Sequence, residues 1–233
     1  MQYPKADKYM VPRYLQKIMG PNPLKLTEEL LSRYPLTPGS RVMDLGCGQG
    51  LTSLFMAREY GLNVTACDLW CDPTDNAAFF QSEGADILPL RTDASEKLPF
   101  ARESFDAIVS VDSYHYFGRE KGFLEERILP FVKKGGWVLL AVPGMKEDLH
   151  HNLSPCMLLS WSAEDLQAIR SARFWRELLT GVDSCAVFEM EGNEELWQDW
   201  LRQQNPYALS DRKAMAAGAG QYMNFVGIAI QKG

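Results

Sequence analysis

The chain has 233 residues, of which 46% are hydrophobic and 23% charged, and its formal net charge is −6. This length suits one globular domain with appendages, and the acidic balance gives a nucleic-acid partner no general electrostatic attraction. The longest apolar run, WVLLAV at 137–142, is too short to cross a bilayer, and the five cysteines lack zinc-ribbon spacing.

Strand-like and helix-like segments alternate from residue 41 onward. Several of the strand segments are continuous apolar runs, which are typical of strands buried on both faces of a parallel sheet. The alternation predicts an α/β fold with an open, doubly wound sheet and right-handed crossovers. Seven strands are predicted, at 41–47, 63–69, 87–92, 105–112, 136–143, 184–191 and 222–231.

The predicted helices follow from apolar residues spaced i, i+3 and i+4 and from terminal glycines and caps. Four are predicted: one from Leu51 to Gly61, one carrying Leu124 and Ile128 and ended by 133–135, one capped by Ser162 and ended at Gly181, and one around Trp197 and Trp200.

Two insertions, at 144–162 and 192–221, interrupt the alternation. If the fifth and sixth strands are parallel, both insertions leave the sheet at its carboxyl edge, where ligands bind in such sheets. They either wall or cover a substrate pocket, or their tryptophans simply pack on neighbouring helices.

The stretch RVMDLGCGQGLTS, residues 41–53, predicts a ligand-binding turn between a strand and a helix. Gly46, Gly48 and Gly50 allow a ligand to approach the backbone, because no Cβ intervenes. Their spacing differs from the G-x-G-x-x-G of dinucleotide sites. Asp44 would repel a pyrophosphate there, whereas it suits a ligand with an ammonium and a sulfonium, such as S-adenosylmethionine (SAM).

The next strand ends also carry carboxylates. Asp68 ends the second strand and can accept hydrogen bonds from both hydroxyls of a ribose, while Asp93 ends the third and can accept from an adenine amino group. The fourth strand, FDAIVSVDSYHYF at 105–117, ends near Asp112. Parallel strands bring these ends to one edge of the sheet.

With these pieces in order, the chain resembles the class I SAM-dependent methyltransferases, in particular the methyltransferase type 11-like group that acts on small molecules. The matching segments are VMDLGCGQG, CDLW, TDASEKLPF, FDAIVSVDSYHYF and KKGGWVLLAVP, within about residues 40–190. The resemblance implies a Rossmann-like sheet of order 3-2-1-4-5-7-6 with strand 7 antiparallel. It also implies an N-terminal helical cap at 1–35 and a SAM-binding domain at 36–233.

The resemblance implies roles for single residues. Gly46 and Gly48 line the methionine and ribose part of SAM, and Leu69 and Trp70 flank the adenine. Asp112 lies near the transferable methyl group or the methionine amine. The predicted cofactor set is Asp44, Gly46, Cys47, Gly48, Gly50, Asp68, Leu69, Trp70, Asp93, Ala94 and Asp112, with Met19 and Gly20 from the N-terminal segment. That segment either covers the cofactor or packs on the sheet edge.

The methyl acceptor stays open between oxygen, nitrogen and sulfur. His115 is the first candidate for a general base, with Asp112 and Tyr114 as further catalytic candidates; the alternative for His115 is a packing or capping role. The aromatic rim of Tyr114, Tyr116 and Phe117 suits a cationic amine or a flat phenol equally. No [DNS]-P-P-[YF] stretch follows the fourth strand, which argues against the exocyclic amines of nucleic-acid bases.

Among the histidines of the first insertion, His150 and His151 beside Asp148 form either a metal site or, as we expect, a solvated loop. We therefore expect a cytoplasmic methyltransferase with reduced thiols, a small-molecule acceptor, and no metal, membrane or nucleic-acid partner. The alternative is a non-catalytic module that binds SAM or a nucleoside, and a NAD-dependent oxidoreductase is disfavoured by Asp44. The oligomeric state is left open.

Overall fold

The computed structural model describes residues 2–233, and Met1, at the start of the predicted N-terminal cap, lies outside them. Seven strands form one sheet of order β3-β2-β1-β4-β5-β7-β6. Neighbours from β3 to β5 are parallel, and β7 runs antiparallel to β5 and β6, which confirms the predicted order and direction. The strands are β1 (Arg41–Leu45), β2 (Asn63–Asp68), β3 (Leu88–Arg91), β4 (Phe105–Val111), β5 (Val132–Met145), β6 (Cys185–Glu189) and β7 (Met223–Gln231).

Helices cover both faces of the sheet. Side chains alternate along each strand, so Val42 and Val109 belong to one apolar cluster and Met43 and Ile108 to another on the opposite face. The α-helices are α1 (Pro12–Leu15), α2 (Pro23–Arg33), α3 (Leu51–Tyr60), α4 (Pro73–Ser82), α5 (Ala163–Leu166), α6 (Ala172–Leu178), α7 (Glu194–Leu201) and α8 (Pro206–Ala216). No helix of residues 2–233 is long and apolar enough to cross a membrane.

The helix predicted around Leu124 and Ile128 is wrong in form. Residues Leu124–Ile128 make a π-helical turn and Leu129–Phe131 a 3-10 turn. Pro130 lacks an N–H and its ring clashes with a carbonyl one turn earlier, so no regular α-helix passes through it. The predicted terminator at 133–135 lies instead in β5, which begins at Val132 and is irregular where β4 pairs with it.

The single helix predicted from Ser162 to Gly181 is also wrong, because it is two helices. Ser162 caps α5 as predicted, with its Oγ 3.0 Å from the N–H of Asp165. A second cap, Ser171, accepts the N–H of Phe174 at 3.2 Å and begins α6. The hydroxyl and N–H of Ser171 both donate to Asp148, so the first insertion fixes the break between the helices.

The two insertions pack on each other. The side chain of Asp211 in α8 accepts from the indole of Trp200 at 2.8 Å and from the hydroxyl of Ser160. The rings of Trp161 and Trp197 lie 6.0 Å apart. The N-terminal segment joins this assembly through Asn22, which caps α2 and donates to Asp199 of α7 at 2.8 Å.

Candidate active site

The turn between β1 and α3 is held open by backbone contacts. Gly46 and Gly48 have positive φ angles of 81° and 53°, which glycine adopts at little cost. The N–H of Gly48 donates to Asp68 at 2.8 Å, and the amide of Asn76 in α4 donates to the Gly48 carbonyl at 2.9 Å. The turn is therefore tied to the end of β2 and to α4 before any ligand binds.

Asp44 lies beneath this turn rather than on a cavity wall. It is 1% exposed, and its Oδ2 accepts the hydroxyls of Thr52 and Ser53 at 2.6 Å each. Its Oδ1 is buried and has no hydrogen-bond partner among residues 2–233. Burial raises the pKa of Asp44 to about 6, against the lowering effect of the two hydroxyls. Asp44 thus anchors the start of α3 from below.

Two cavities meet at the carboxyl edge of β1, β2 and β4. The first encloses about 700 Å³ and the second about 740 Å³. Both are bordered by the same five residues, Gly46, Asp68, Trp70, Ser113 and Tyr116. The rings of Trp70 and Tyr116 meet edge to face at 5.6 Å, so the two cavities form one groove around the end of β2.

Most of the predicted cofactor residues lie on this groove. Met19, Gly20, Cys47, Gly48 and Asp112 line the first cavity with the shared residues. Leu69, Asp93 and Ala94 line the second. Asp68 accepts the N–H groups of Trp70 and Cys71 at 2.8 Å each. The N-terminal segment reaches the first cavity, as one of its two interpretations expected.

Gly50 does not line either cavity. It has a φ of 80° at the N-terminus of α3, and a Cβ there would stand 2.6 Å from the Phe80 ring of α4. The glycine at this position is thus required by helix packing, which the regular spacing of the three glycines does not distinguish from ligand contact.

Asp112 lies in a strained position at the end of β4. Its φ is 53°, a conformation that residues other than glycine seldom adopt. A Cβ at Gly20 would stand 2.2 Å from its Oδ2, so the N-terminal segment crosses directly over this carboxyl group. Burial, and next the Asp211 carboxylate, raise the pKa of Asp112 to about 8. A cation in the cavity would favour its charged form.

The catalytic prediction for Tyr114 disagrees with its position. Its ring is fully buried and packs against Phe117, Phe123 and Trp175 in the core beneath the sheet. A 3-10 turn at Tyr114–Tyr116 follows β4, and it turns Tyr116 toward the groove instead. No contact with either cavity is left for Tyr114.

His115 also differs from its prediction as a general base. It is 2% exposed, does not line the groove, and stacks on Tyr116 with ring centroids 4.0 Å apart. Burial, with the Arg119 charge second, lowers the pKa of His115 to about 3. The imidazole is therefore neutral, and its Nδ1 has no partner in the described part of the chain.

Several lining residues escaped the sequence prediction. Ser113 borders both cavities. Its hydroxyl oxygen lies so close to Gly46 that a Cβ at Gly46 would stand 1.9 Å from it. Lys17 lines the first cavity from the N-terminal segment, and Thr92 and Ser95 line the second. For Ser113, Thr92 and Ser95 the only sequence signal is proximity to strand ends already singled out, and for Lys17 it is membership of the N-terminal segment.

The solvated loop expected around His150 and His151 holds for His151, which is exposed, and not for His150. The side chain of His150 is 6% exposed, and its Nε2 hydrogen-bonds the Leu166 carbonyl at 3.0 Å. Both carboxylate oxygens of Asp148 accept hydrogen bonds from Ser171, one from its N–H and one from its hydroxyl. Across residues 2–233 no three His, Cys, Asp or Glu side chains are grouped as metal ligands.

The chain is similar in sequence and in fold to known methyltransferases. Residues 43–140 match the family described as "Methyltransferase domain". A glycine/sarcosine/dimethylglycine N-methyltransferase from Actinopolyspora halophila is 29% identical over 159 residues, which cover 67% of this chain and 27% of that protein.

Two solved structures share the fold. Phosphoethanolamine N-methyltransferase 2 from Haemonchus contortus, bound to phosphomonomethylethanolamine and S-adenosylhomocysteine, has a TM-score of 0.70 at 20% identity and covers 99% of this chain and 59% of that one. The [4+2]-cyclase SpnF has a TM-score of 0.67 at 15% identity, over 97% of this chain and 94% of that one. The chain spans about half or less of the length of several curated relatives.

Proposed function

We propose that the chain is a class I SAM-dependent methyltransferase that transfers a methyl group from SAM to a small-molecule acceptor, since residues 43–140 match the model of a methyltransferase domain. The observation that carries the proposal is the groove along the carboxyl edge of the sheet, lined by Asp93, Asp68, Gly46 and Asp112 in the order of their strands β3, β2, β1 and β4. Each of these residues follows a different parallel strand.

The groove offers chemistry that suits SAM. Gly46 borders both cavities and carries no side chain, which would leave its backbone open to the ligand. Asp68 stands where the two cavities join, the position that a ribose between methionine and adenine requires. The side chain of Asp112 lines the first cavity, accepts no hydrogen bond from residues 2–233, and provides a carboxylate for a cation.

SAM supplies an electrophilic methyl group on a sulfonium for in-line attack by the acceptor. The residues of this chain contribute alignment and the exclusion of water. Asp68 orients the cofactor through its ribose, and the turn at Gly46–Gly48 fixes the methionine end. The 16–22 segment, with Met19 and Gly20, closes the first cavity from above.

We also propose an amine nitrogen as the acceptor atom. A hydroxyl acceptor requires a base at the methyl group, and His115, the predicted base, does not reach the groove. A neutral amine attacks without one. An amine that arrives protonated would first lose its proton to water; Asp112 and the rings of Trp70 and Tyr116 suit that cation and the methylated ammonium that forms as the sulfonium loses its charge. The A. halophila and H. contortus relatives are both named N-methyltransferases.

Titration calorimetry with SAM, S-adenosylhomocysteine and NAD tests the cofactor. We expect binding of the first two and none of NAD. Tight NAD binding without SAM binding would overturn the proposal.

The acceptor is tested by S-adenosylhomocysteine release with matched small amines, alcohols and thiols, which also separates methyl transfer from the non-methyltransferase chemistry that SpnF shows on this fold. We expect release with amines. Release only with alcohols or thiols contradicts the amine, and SAM binding without release from any acceptor favours the binding-module alternative.

A further inference from the structure

Arg119, three residues after Tyr116, and Arg170 share one hydrogen-bond acceptor. The NH1 of Arg119 and the Nε of Arg170 both donate to the carbonyl of Gln167, at 3.1 and 2.9 Å. Two guanidinium groups that share one acceptor stand close together, and the charge on each makes the protonated form of the other less favourable. The pKa of Arg170 is lowered accordingly, by burial first and also by Arg119.

No carboxylate of residues 2–233 forms an ion pair with either guanidinium. The nearest acidic side chain in electrostatic terms is Asp148, whose two oxygens accept the N–H and hydroxyl of Ser171. By contrast, the neighbouring Arg173 in α6 pairs with Glu177 at 2.8 Å. Asp148 favours the charged form of Arg170 without contacting it, so within residues 2–233 the pair has partial electrostatic compensation and no direct ion pair.

Hydrogen-bond donors of the pair are also unused. A guanidinium has five N–H groups, and Arg119 commits one of them, while its buried Nε has no partner in the part of the chain described. Arg170 is held in place by further hydrogen bonds to His150 Nδ1 at 3.3 Å and to the Gln167 side chain at 3.2 Å. Arg170 is thus fixed in orientation, and Arg119 presents free donors beside it.

Buried polar groups next to the pair have no partners either. His115, 2% exposed, has an unpartnered Nδ1 and lies close enough for the Arg119 charge to lower its pKa. Asn224, 4% exposed, has neither amide atom paired in residues 2–233. A Cβ at Gly144 would stand 2.6 Å from Asn224 Oδ1 and 3.0 Å from the Arg170 carbonyl, so Asn224 adjoins Arg170.

This cluster adjoins the candidate active site. The His115 ring stacks on Tyr116, which borders both cavities. Burial, and then the carboxylates of Asp112, Asp165 and Asp211, raise the pKa of Tyr116, so its hydroxyl is within electrostatic range of Asp112 and of Asp165 in α5. Neither arginine lines the cavities themselves; the pair lies beyond Tyr116 and His115, where an acceptor that extends out of the groove would meet it.

We propose that Arg119 and Arg170 form a subsite for an acid group, a carboxylate or a phosphate, of the methyl acceptor. The proposal rests on the amine-acceptor function above and makes the acceptor a small zwitterion. Planar guanidinium forks bind both oxyanions through paired hydrogen bonds. Asp112 and the arginine pair then recognise opposite charges at the two ends of one molecule.

The subsite is tested by nuclear magnetic resonance on protein saturated with S-adenosylhomocysteine. Inorganic phosphate and acetate are titrated separately while the Nε–H signals of the arginines are followed. We expect saturable shifts of Arg119 and Arg170, and affinity at least about tenfold weaker in Arg119→Gln and Arg170→Gln. Arg173→Gln, three residues from Arg170 and already paired with Glu177, is the matched control and should bind as wild type.

The two anions distinguish a phosphate-bearing from a carboxylate-bearing acceptor by which binds more tightly. If neither anion shifts the two signals, or if both Gln variants bind as wild type, the subsite is ruled out. Should the Gln variants fail to unfold cooperatively, Arg119→Lys and Arg170→Lys keep the charge and lose the fork, and affinity equal to wild type in both would contradict the proposal.

Methylation supplies a second readout. Ethanolamine is compared with its phosphate ester, and methylamine with glycine, as acceptors. We expect the acid-bearing member of one pair to have the lower KM, and Arg170→Gln to raise that KM while changing kcat little. Equal KM values within both pairs in the wild type contradict the subsite. Because anion binding is measured without turnover, absence of methylation would overturn the proposed function and leave the anion result to stand separately.

Discussion

The Ser113 hydroxyl packs directly against the backbone of Gly46, since a Cβ at position 46 would stand 1.9 Å from the Ser113 hydroxyl oxygen. Gly46→Ala must therefore displace either the turn after β1 or the residue after Asp112. We expect loss of SAM binding, measured by titration calorimetry, together with a lower free energy of unfolding.

Gly39→Ala separates backbone strain at a positive φ from the close contact with Ser113 as the cause of lost SAM binding. Gly39 has a φ of 84°, close to the 81° of Gly46, yet a Cβ there would meet nothing within 4 Å. It should cost about 1–2 kcal/mol of stability from backbone strain and leave SAM affinity unchanged. Equal SAM affinity in wild type and Gly46→Ala would show that the close contact does not shape the cofactor site.

Asp68→Asn should weaken SAM binding by about 1–3 kcal/mol, because it replaces charge-assisted hydrogen bonds to a ribose with neutral ones. The same carboxylate holds the N–H groups of Gly48, Trp70 and Cys71. Thermal unfolding is therefore measured beside SAM affinity. Asp75→Asn, an exposed acid in α4, is the control and should bind SAM as wild type. An unchanged SAM affinity in a folded Asp68→Asn protein removes Asp68 from the cofactor site.

Strand positions and the acids at strand ends could be predicted because both follow from local sequence. Apolar runs bounded by turns define β1, β2 and β4, and a parallel sheet brings their carboxyl ends together whatever the helices do. Asp68 and Asp112 consequently line the groove where expected. Direction of a side chain beyond the strand end depends on the turn that follows, and the 3-10 turn at Tyr114–Tyr116 carried no recognisable signal.

Helix errors came from competing local signals. Leu124 and Ile128 have helical spacing, but Pro130 overrides it. Leu166 and Leu178 have the spacing of one helix, while Ser171 begins a second because Asp148, distant in sequence, accepts both of its donors. A contact across 23 residues of sequence is invisible to periodicity.

Asp211→Ala should destabilise the protein by about 1–3 kcal/mol, because it leaves the buried Trp200 indole N–H and the Ser160 hydroxyl without their acceptor. Chemical denaturation measures this change. Lys213→Ala, two residues along α8, is the control and should change stability little. A loss no larger than that of Lys213→Ala would mean that the two insertions are joined by apolar contacts alone.

His115 should make the protein acid-sensitive. The pKa of His115 is about 3 in the folded protein, against 6.5 for an exposed histidine. Between these two pH values the unfolded chain is protonated at His115 and the native protein is not. Stability is lost as pH falls below about 6.5, by at most about 1.4 kcal/mol per pH unit. His115→Asn should show less of this loss between pH 7 and 5 in urea titrations, whereas exposed His151→Asn should follow wild type. Identical slopes for wild type and His115→Asn would contradict a buried neutral imidazole.

Asp112 should make stability depend on pH in the opposite direction from His115. Its folded pKa of about 8 lies above the 3.8 of an exposed aspartate, so the native state holds a proton that the unfolded chain has released. Its contribution to stability is fully present below about pH 3.8 and is lost as pH rises toward 8, again by at most about 1.4 kcal/mol per pH unit. Asp112→Asn cannot titrate, so its stability relative to wild type should increase steadily from pH 5 to 8.

Urea titrations at pH 5, 6.5 and 8 measure that difference, with exposed Asp86→Asn as the control that should follow wild type at each pH. Because a cation beside Asp112 favours its charged form, saturating SAM should release a proton from wild type and not from Asp112→Asn. Calorimetry in two buffers of different ionisation enthalpy detects that proton. A pH-independent difference between wild type and Asp112→Asn, with no proton released on binding, would mean that Asp112 is already charged in the ligand-free protein.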